Sequence, residues 1–238
     1  MMGDYKEDDM DTKQLKLMTL DEAVSRIKDG MVLGIGTGST IELLVPEIGK
    51  LVNDKGYKLT GVCTSERTEA QAKALHIPII HVNDATHIDL AIDGADEIDP
   101  ELNLIKGGGA ALFREKVIDE MAAEFVVLAD ETKLVDYLGQ TFKLPVEVDC
   151  FNWRLVMKHI EGHIEGEVTR RMTADGEPLV TDNGNYILDV HLTQKVDPYD
   201  FHEFLIHLTG VLETGYFLDL ATEAIVGTQL GVKVLSRY

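Results

Sequence analysis

Apolar residues fall along this chain in short runs that stop at glycines, separated by longer amphipathic stretches. From about Thr12 to Lys28, Leu15, Met18, Val24 and Ile27 recur at roughly helical spacing; Thr19 and Glu22 offer a capping box for a start inside that stretch, and Gly30 ends it. MVLGIG (31–36) reads as a buried strand. Thr40 to Leu51 reads as a helix dented by Pro46, with Leu43, Leu44, Ile48 and Leu51 on one side. LTGVCTS (59–65) is a second strand, Glu66 to Leu75 a second helix, and IPIIHV (77–82) and DLAIDGA (89–95) are further strands. KGGGAALFREKVIDEMA (106–122) is a glycine loop running into a helix, followed by the strand EFVVLAD (124–130). These strands are apolar without two-residue alternation and they alternate with helices, the pattern of a parallel sheet covered on both faces.

Near Leu144 the pattern changes. LPVEVD, a helical stretch around Trp153–Ile160, EGEVTRRM, PLVTDNGNYILDVHL, a helix near Tyr199–Leu208 and VLETGYF follow, with strands that alternate polar and apolar and join through turns such as Asp175-Gly176 and Asn183-Gly184-Asn185. This predicts a smaller α+β domain with an antiparallel sheet. EAIVGT (223–228) and VKVLSRY (232–238) are again strand-like and are expected to return to the first sheet. The division expected is a leader at 1–11, a larger domain at 12–143 with 218–238, and the small domain at 144–217.

Charge narrows the partners. With 22 Lys+Arg against 42 Asp+Glu the chain of 238 residues carries a net −20. Such a surface repels phosphate backbones and anionic lipids, which argues against nucleic acid and membrane partners. It repels small anionic substrates as well, so an anion site here needs a local positive well. No run approaches the roughly 20 apolar residues of a membrane span. The opening MMGDYKEDDMDTKQ is the opposite of a secretory signal and reads as disordered at 1–11. Cys63 and Cys150 lack CxxC spacing and read as reduced, packed small hydrophobes, which makes the cytoplasm the expected compartment.

Four segments could carry chemistry. Gly34-Ile35-Gly36-Thr37-Gly38-Ser39-Thr40 ends a strand and starts a helix, where free N–H groups and the helix dipole favour an anion. It is neither a dinucleotide fingerprint nor a Walker loop; a glycine turn with three hydroxyls suits a single phosphate, against the plain alternative of a tight turn without ligand. Thr64-Ser65-Glu66-Arg67-Thr68 follows the next strand and reads equally as a helix cap. Asp93-Gly94-Ala95-Asp96-Glu97-Ile98-Asp99 places four carboxylates in seven residues. Crowding raises their pKa values unless cations or substrate hydroxyls offset it, and a solvated acidic loop is the alternative. A divalent metal is the obvious rival ligand, but EF-hand spacing is absent and no His or Cys lies close. In Lys106-Gly107-Gly108-Gly109 a cation stands beside glycines whose entropic cost suggests close approach to a ligand. On the helix that follows, Phe113, Val117 and Met121 make an apolar stripe that puts Glu115 on the solvent side, yet only about 9 Å along the axis from Gly109. Lys133 is a further cation at a strand's end. The histidines offer no ligand set: His159 and His163 straddle Gly162 with no third ligand after them.

GIGTGST, DGADEID and KGGGAALFREK, in that order and spacing, resemble the type A ribose-5-phosphate isomerase family, and VTDNGNYILDV and the closing GVKV fit it too. The resemblance runs from about Thr12 to the end. It implies an α/β fold with an open, mostly parallel Rossmann-like sheet and a smaller α+β, ferredoxin-like domain. It also implies aldose–ketose isomerisation of ribose 5-phosphate to ribulose 5-phosphate, without metal or nucleotide cofactor. Glu115 then matches the catalytic base, which moves a proton between C2 and C1 through an enediol. Asp93 and Asp96 match carboxylates that hold sugar hydroxyls, with Asp93 the helper in ring opening, and Lys106 matches the cation on the enediolate. Thr37, Gly38, Ser39 and Thr40 match the turn near the phosphate, joined by Gly94, Ala95, Gly107, Gly108 and Gly109, with Lys16 and Lys133 on the phosphate side. The family is usually dimeric or tetrameric, so a homodimer is expected, acting on a small-molecule pentose phosphate. Rivals on similar folds are an amino-sugar-phosphate isomerase/deaminase, which needs a histidine near the sugar, and a sugar-phosphate sensor domain, which needs a DNA-reading module.

Overall fold

The amphipathic stretch at the start folds as two short helices, α1 (Thr12–Met18) and α2 (Leu20–Arg26), that meet at Thr19. The computed structural model describes residues 10–237, so residues 1–9 of the expected leader lie outside the described residues. Its last two residues are tied down. Met10 N–H donates to Gln229 Oε1 at 2.9 Å, and Gln229 Nε2 returns a bond to Met10 O at 2.8 Å. Asp11, not Thr19, supplies the capping box, reciprocally with Gln14. Thr19 turns its hydroxyl back onto the Lys16 carbonyl at 2.7 Å, a bond that competes with a straight helix.

The chain then alternates: β1 (Val32–Ile35), α3 (Ile41–Asn53), β2 (Thr60–Cys63), α4 (Glu66–Ala74) and β3 (Ile88–Gly94). Two short strands follow, β4 (Glu97–Ile98) and β5 (Leu104–Ile105), then α5 (Leu112–Met121) and β6 (Ala122–Asp130). Next come β7 (Leu144–Val148), α6 (Trp153–Glu161), β8 (Gly166–Arg170), β9 (Tyr186–Leu192), α7 (Pro198–Ile206) and β10 (Val211–Thr214). The chain closes with β11 (Tyr216–Phe217), β12 (Glu223–Thr228) and β13 (Gly231–Ser236).

The six-stranded sheet has the order β13-β12-β6-β3-β1-β2, parallel except for β13 at the edge, so the C-terminal strands do return to it. α3 buries Ile41, Leu44, Val45, Ile48 and Leu51 in one core with Leu33, Ile35, Leu90 and Ile92. Ala91, Phe125 and Val127 join a second core with Leu112 of α5 and Phe217. IPIIHV does not become a strand. Ile79 makes a single bridge to Gly61 before a turn of 3₁₀ helix at Val82–Asp84. Pro78 has no N–H to extend a ladder there.

The second unit runs β7-α6-β8-β9-α7-β10 and pairs as β10-β7-β9-β8, all antiparallel, which is the ferredoxin-like arrangement. Val146, Leu188, Val190, Val156, Ile160, Phe201 and Leu205 form its core. A third sheet, β11-β5-β4, was not legible in the sequence because its strands are only two residues long.

Candidate active site

In a parallel sheet the loops after the strands gather at one edge, where ligands bind. Here the turn after β1, the loop after β3, the glycine loop before α5 and the end of β6 meet around an open cavity. Of the residues expected at the site, Lys16, Thr37, Gly38, Ser39, Thr40, Gly94, Ala95, Asp96, Lys106, Gly107, Gly108, Gly109, Glu115 and Lys133 line it.

The turn at 36–40 is held from below. Gly36 N–H donates to Ile92 O at 3.0 Å, and Thr37 N–H donates to Asp93 Oδ1 at 3.0 Å. The Thr37 hydroxyl sits among the hydroxyls of Thr64 (2.6 Å), Ser65 (2.7 Å) and Thr68 (3.3 Å), and Thr68 Oγ1 also donates to Gly36 O at 2.9 Å. The Thr64–Thr68 segment is therefore a buttress of the turn and the cap of α4. Thr40 caps α3 without a side-chain hydrogen bond. Glu42 N–H and Leu43 N–H donate to Gly38 O and Thr40 O, while among the described residues the amides of Ser39, Thr40 and Ile41 have no acceptor and are available to an anion. Lys16 Nζ donates to Ser39 Oγ at 3.0 Å and stands 4.0 Å from Asp130 Oδ2.

The acidic run parts into separate duties. Asp96 lines the cavity and accepts from Gly108 N–H at 2.7 Å; burial, first of all, raises its pKa. Glu97 accepts from the backbone of Gly139, Thr141 and Phe142, and Asp99 from Glu101 and Asn103, so both are structural staples. Asp93 is fully buried and does not line the cavity. Its Oδ1 accepts from Thr37 and Gly94 N–H, and its Oδ2 lies 2.8 Å from Lys106 Nζ. Asp93 thus stands directly behind Lys106, with Oδ1 taken by the two amides and Oδ2 facing the ammonium without a hydrogen-bond partner. Among the described residues, no group of three or more His, Cys, Asp and Glu side chains is arranged to hold a metal ion.

Glu115 also departs from its helical pattern. Val117 is exposed, whereas Leu112, Glu115, Lys116, Ile118 and Asp119 are buried, so α5 turns a charged face inward. That face meets opposite charges: Lys106 Nζ lies 3.7 Å from Glu115 Oε1, and Lys116 Nζ lies 2.6 Å from Glu213 Oε1. Glu115 Oε2 and both Asp119 oxygens have no hydrogen-bond partner. Burial pushes the Glu115 carboxyl up to about 8, Lys106 pulling against it, and burial likewise raises Asp119. Burial disfavours the Lys106 charge, but Asp93, Glu115 and Asp119 together hold its pKa above the ordinary lysine value. The result is a floor where one fixed cation faces a proton acceptor tuned toward neutrality.

Leu128, Ala129 and Asp130 line the cavity as well, and sequence reasoning passed over them. Their signal was positional, the end of a parallel strand. Asp130 is buried, with Oδ1 accepting from Thr132 N–H at 3.1 Å and Oδ2 toward Lys16.

A family model described as ribose 5-phosphate isomerase A (phosphoriboisomerase A) matches residues 60–231. The chain is 62% identical over 227 residues to the ribose-5-phosphate isomerase A of Staphylococcus aureus strain COL, covering 95% of this chain and 99% of that one. It superposes on a D-ribose-5-phosphate isomerase in complex with phospho-erythronic acid with a TM-score of 0.92 at 40% identity, covering 96% of this chain and 100% of that one. For ribose 5-phosphate isomerase A of Methanocaldococcus jannaschii the TM-score is 0.89 at 39% identity, covering 94% of this chain and 99% of that one. With sequence and fold agreeing over nearly its whole length, the chain belongs to the ribose 5-phosphate isomerase A family.

Proposed function

We propose that this cavity interconverts ribose 5-phosphate and ribulose 5-phosphate, the reaction its family membership assigns to it, with the Glu115 carboxylate as the base. The observation that carries this is the pairing on the cavity floor: a carboxylate only 3% exposed, one oxygen unpartnered, 3.7 Å from a buried ammonium. The phosphate sits at the start of α3, against Ser39 and Thr40 and between Lys16 and Lys133. The sugar carbons then extend toward Glu115, with Asp96 holding a hydroxyl. Glu115 takes the proton from C2, the electron pair forms the C1–C2 double bond, and charge gathers on O1 beside Lys106. A fixed cation in a dry site stabilises that oxyanion by several kcal/mol. Glu115 then returns the proton to C1 while the O2 proton passes to O1, leaving the ketone at C2. Asp93 acts through Lys106 and the turn, which it holds in place.

The same reading places the enzyme in the cytoplasm as a homodimer on a small-molecule substrate, with no nucleic acid or membrane partner and no metal or nucleotide cofactor. No helix among the described residues is long and apolar enough to cross a membrane. Ribose 5-phosphate conversion in EDTA, for the unmodified chain and Glu115→Gln, tests the mechanism. Metal-free turnover that falls by about 10²–10⁴ in the variant supports the base. Turnover surviving in Glu115→Gln moves the base to Asp93 or Asp96.

A further inference from the structure

Arg171 lies outside the cavity wall, just past β8 in the four-stranded unit, yet it is wired to the glycine loop. Its backbone is fixed on both sides: Arg171 N–H donates to Ile187 O at 2.8 Å, and Arg171 O accepts from Leu179 N–H at 3.0 Å. Its guanidinium forms a two-bond fork with Asp189, Nε to Oδ2 at 2.9 Å and Nη2 to Oδ1. The remaining nitrogen, Nη1, donates to Gly107 O at 2.7 Å and to Gly108 O at 3.2 Å. The pair is largely buried, with side chains 13% and 16% exposed.

Consecutive glycines flip their peptide planes more readily than other residues, so this loop needs something to choose one arrangement. The 107–108 peptide is gripped at both ends, its carbonyl by Arg171 and its N–H by the Asp96 carboxylate at 2.7 Å. In the next peptide Arg171 takes the Gly108 carbonyl. In a trans peptide the N–H points opposite the carbonyl, so Gly109 N–H points away from Arg171. Gly109 lines the cavity, and among the described residues no acceptor takes its N–H.

We propose that Arg171 is a positioning residue for the isomerisation: held by Asp189, it fixes the Gly107–Gly109 peptide planes, aims the Gly109 N–H at the substrate and keeps Asp96 in register. This rests on the reading of the cavity given above. A planar fork matches both the carboxylate and the two carbonyls, and an ammonium does not.

The test is steady-state kinetics on ribose 5-phosphate for Arg171→Lys, Arg171→Ala and Glu115→Gln, with melting curves for each. Arg171→Lys keeps a cation beside Asp189, so it keeps the fold. It is expected to lose about 10²-fold in kcat/KM, mostly in kcat, as misplacement at a reacting centre does. Arg171→Ala is expected to regain part of its activity on adding millimolar guanidinium ion, which leaves the unmodified enzyme unchanged. Arg171→Lys within twofold of the unmodified enzyme, with Glu115→Gln inactive, overturns the positioning role and leaves the base intact. A loss in Arg171→Ala that tracks its folded fraction and is not restored by guanidinium also overturns it. An active Glu115→Gln overturns the base assignment alone, and the Arg171→Lys loss then still decides the positioning role.

Discussion

Lys106 Nζ lies 3.7 Å from Glu115 Oε1, with both side chains sealed from solvent. At that distance the ammonium opposes the rise that burial imposes on the carboxyl, whose pKa is pushed up to about 8. A base works only when deprotonated, so kcat/KM is expected to rise with pH and to level off above about pH 8, falling tenfold per unit below. Lys106→Met removes the charge that favours the carboxylate. It is expected to move that acid limb to higher pH and to lower kcat by about 10²–10³ at the plateau. A limb that stays in place in Lys106→Met separates the two groups.

Lys16 reaches the cavity from the first helix and touches it through Ser39 Oγ at 3.0 Å. On the proposed reading it holds the phosphate, far from the reacting carbons, so its attraction would be the same in ground and transition states. Lys16→Ala is therefore expected to raise KM about tenfold with kcat within a few-fold, the signature of lost uniform binding. Because the chain carries a net −20, KM in the unmodified enzyme should also depend on this well more than on bulk charge. A fall in kcat with KM unchanged would place Lys16 in the chemical step instead.

The parallel sheet and the edge where its loops gather were legible from apolar runs that stop at glycine, and the antiparallel unit from alternating strands with turns such as Asp175-Gly176 and Asn183-Gly184-Asn185. Glu115 was legible by its motif and not by its pattern. Phe113, Val117 and Met121 suggested the buried face of α5, but the helix buries Glu115, Lys116 and Asp119 and exposes Val117. Hydrophobic periodicity assumes charges face water, and it fails where buried cations compensate them. Asp93 was legible as a carboxylate of the site by its motif, but its depth behind Lys106 was not. Arg171 gave no signal, because the carbonyls it holds lie more than sixty residues away, and neither did Asp189, whose partner is Arg171 across the strand pair.

Gly36 has a reason the sequence did not reveal. A Cβ there would fall 2.0 Å from Asp93 Oδ1 and 2.6 Å from Asp93 Cβ, so the strand end and the buried aspartate share one space. Gly36→Ala must displace Asp93, and with it Lys106 and the Thr37 amide. The expected outcome is a loss of about 10²-fold in kcat/KM with destabilisation of about 1–3 kcal/mol, read by kinetics and by denaturant titration. Gly38→Ala, where no atom lies within 4 Å but φ is +126°, is expected to strain the turn alone and to raise KM without displacing Lys106.

Glu115 also makes a stability prediction with a definite sign. Its folded pKa, about 8, lies above its ordinary value of 4.5, so between those limits the native state holds a proton that the unfolded chain releases. Stability on this account is fully present below about pH 4.5 and drains away as pH rises toward 8. Gln cannot ionise, and Lys106 keeps Asp93 at 2.8 Å as its partner, so the substitution removes the slope without orphaning the lysine. Glu115→Gln is expected to melt above the unmodified protein at pH 8, with the gap closing as the pH is lowered to 5. An inactive variant that is more stable where the enzyme works is the mark of a residue kept for chemistry at a cost to the fold. Equal melting temperatures across that range would mean the carboxyl is not held protonated, and the raised pKa would fail with it.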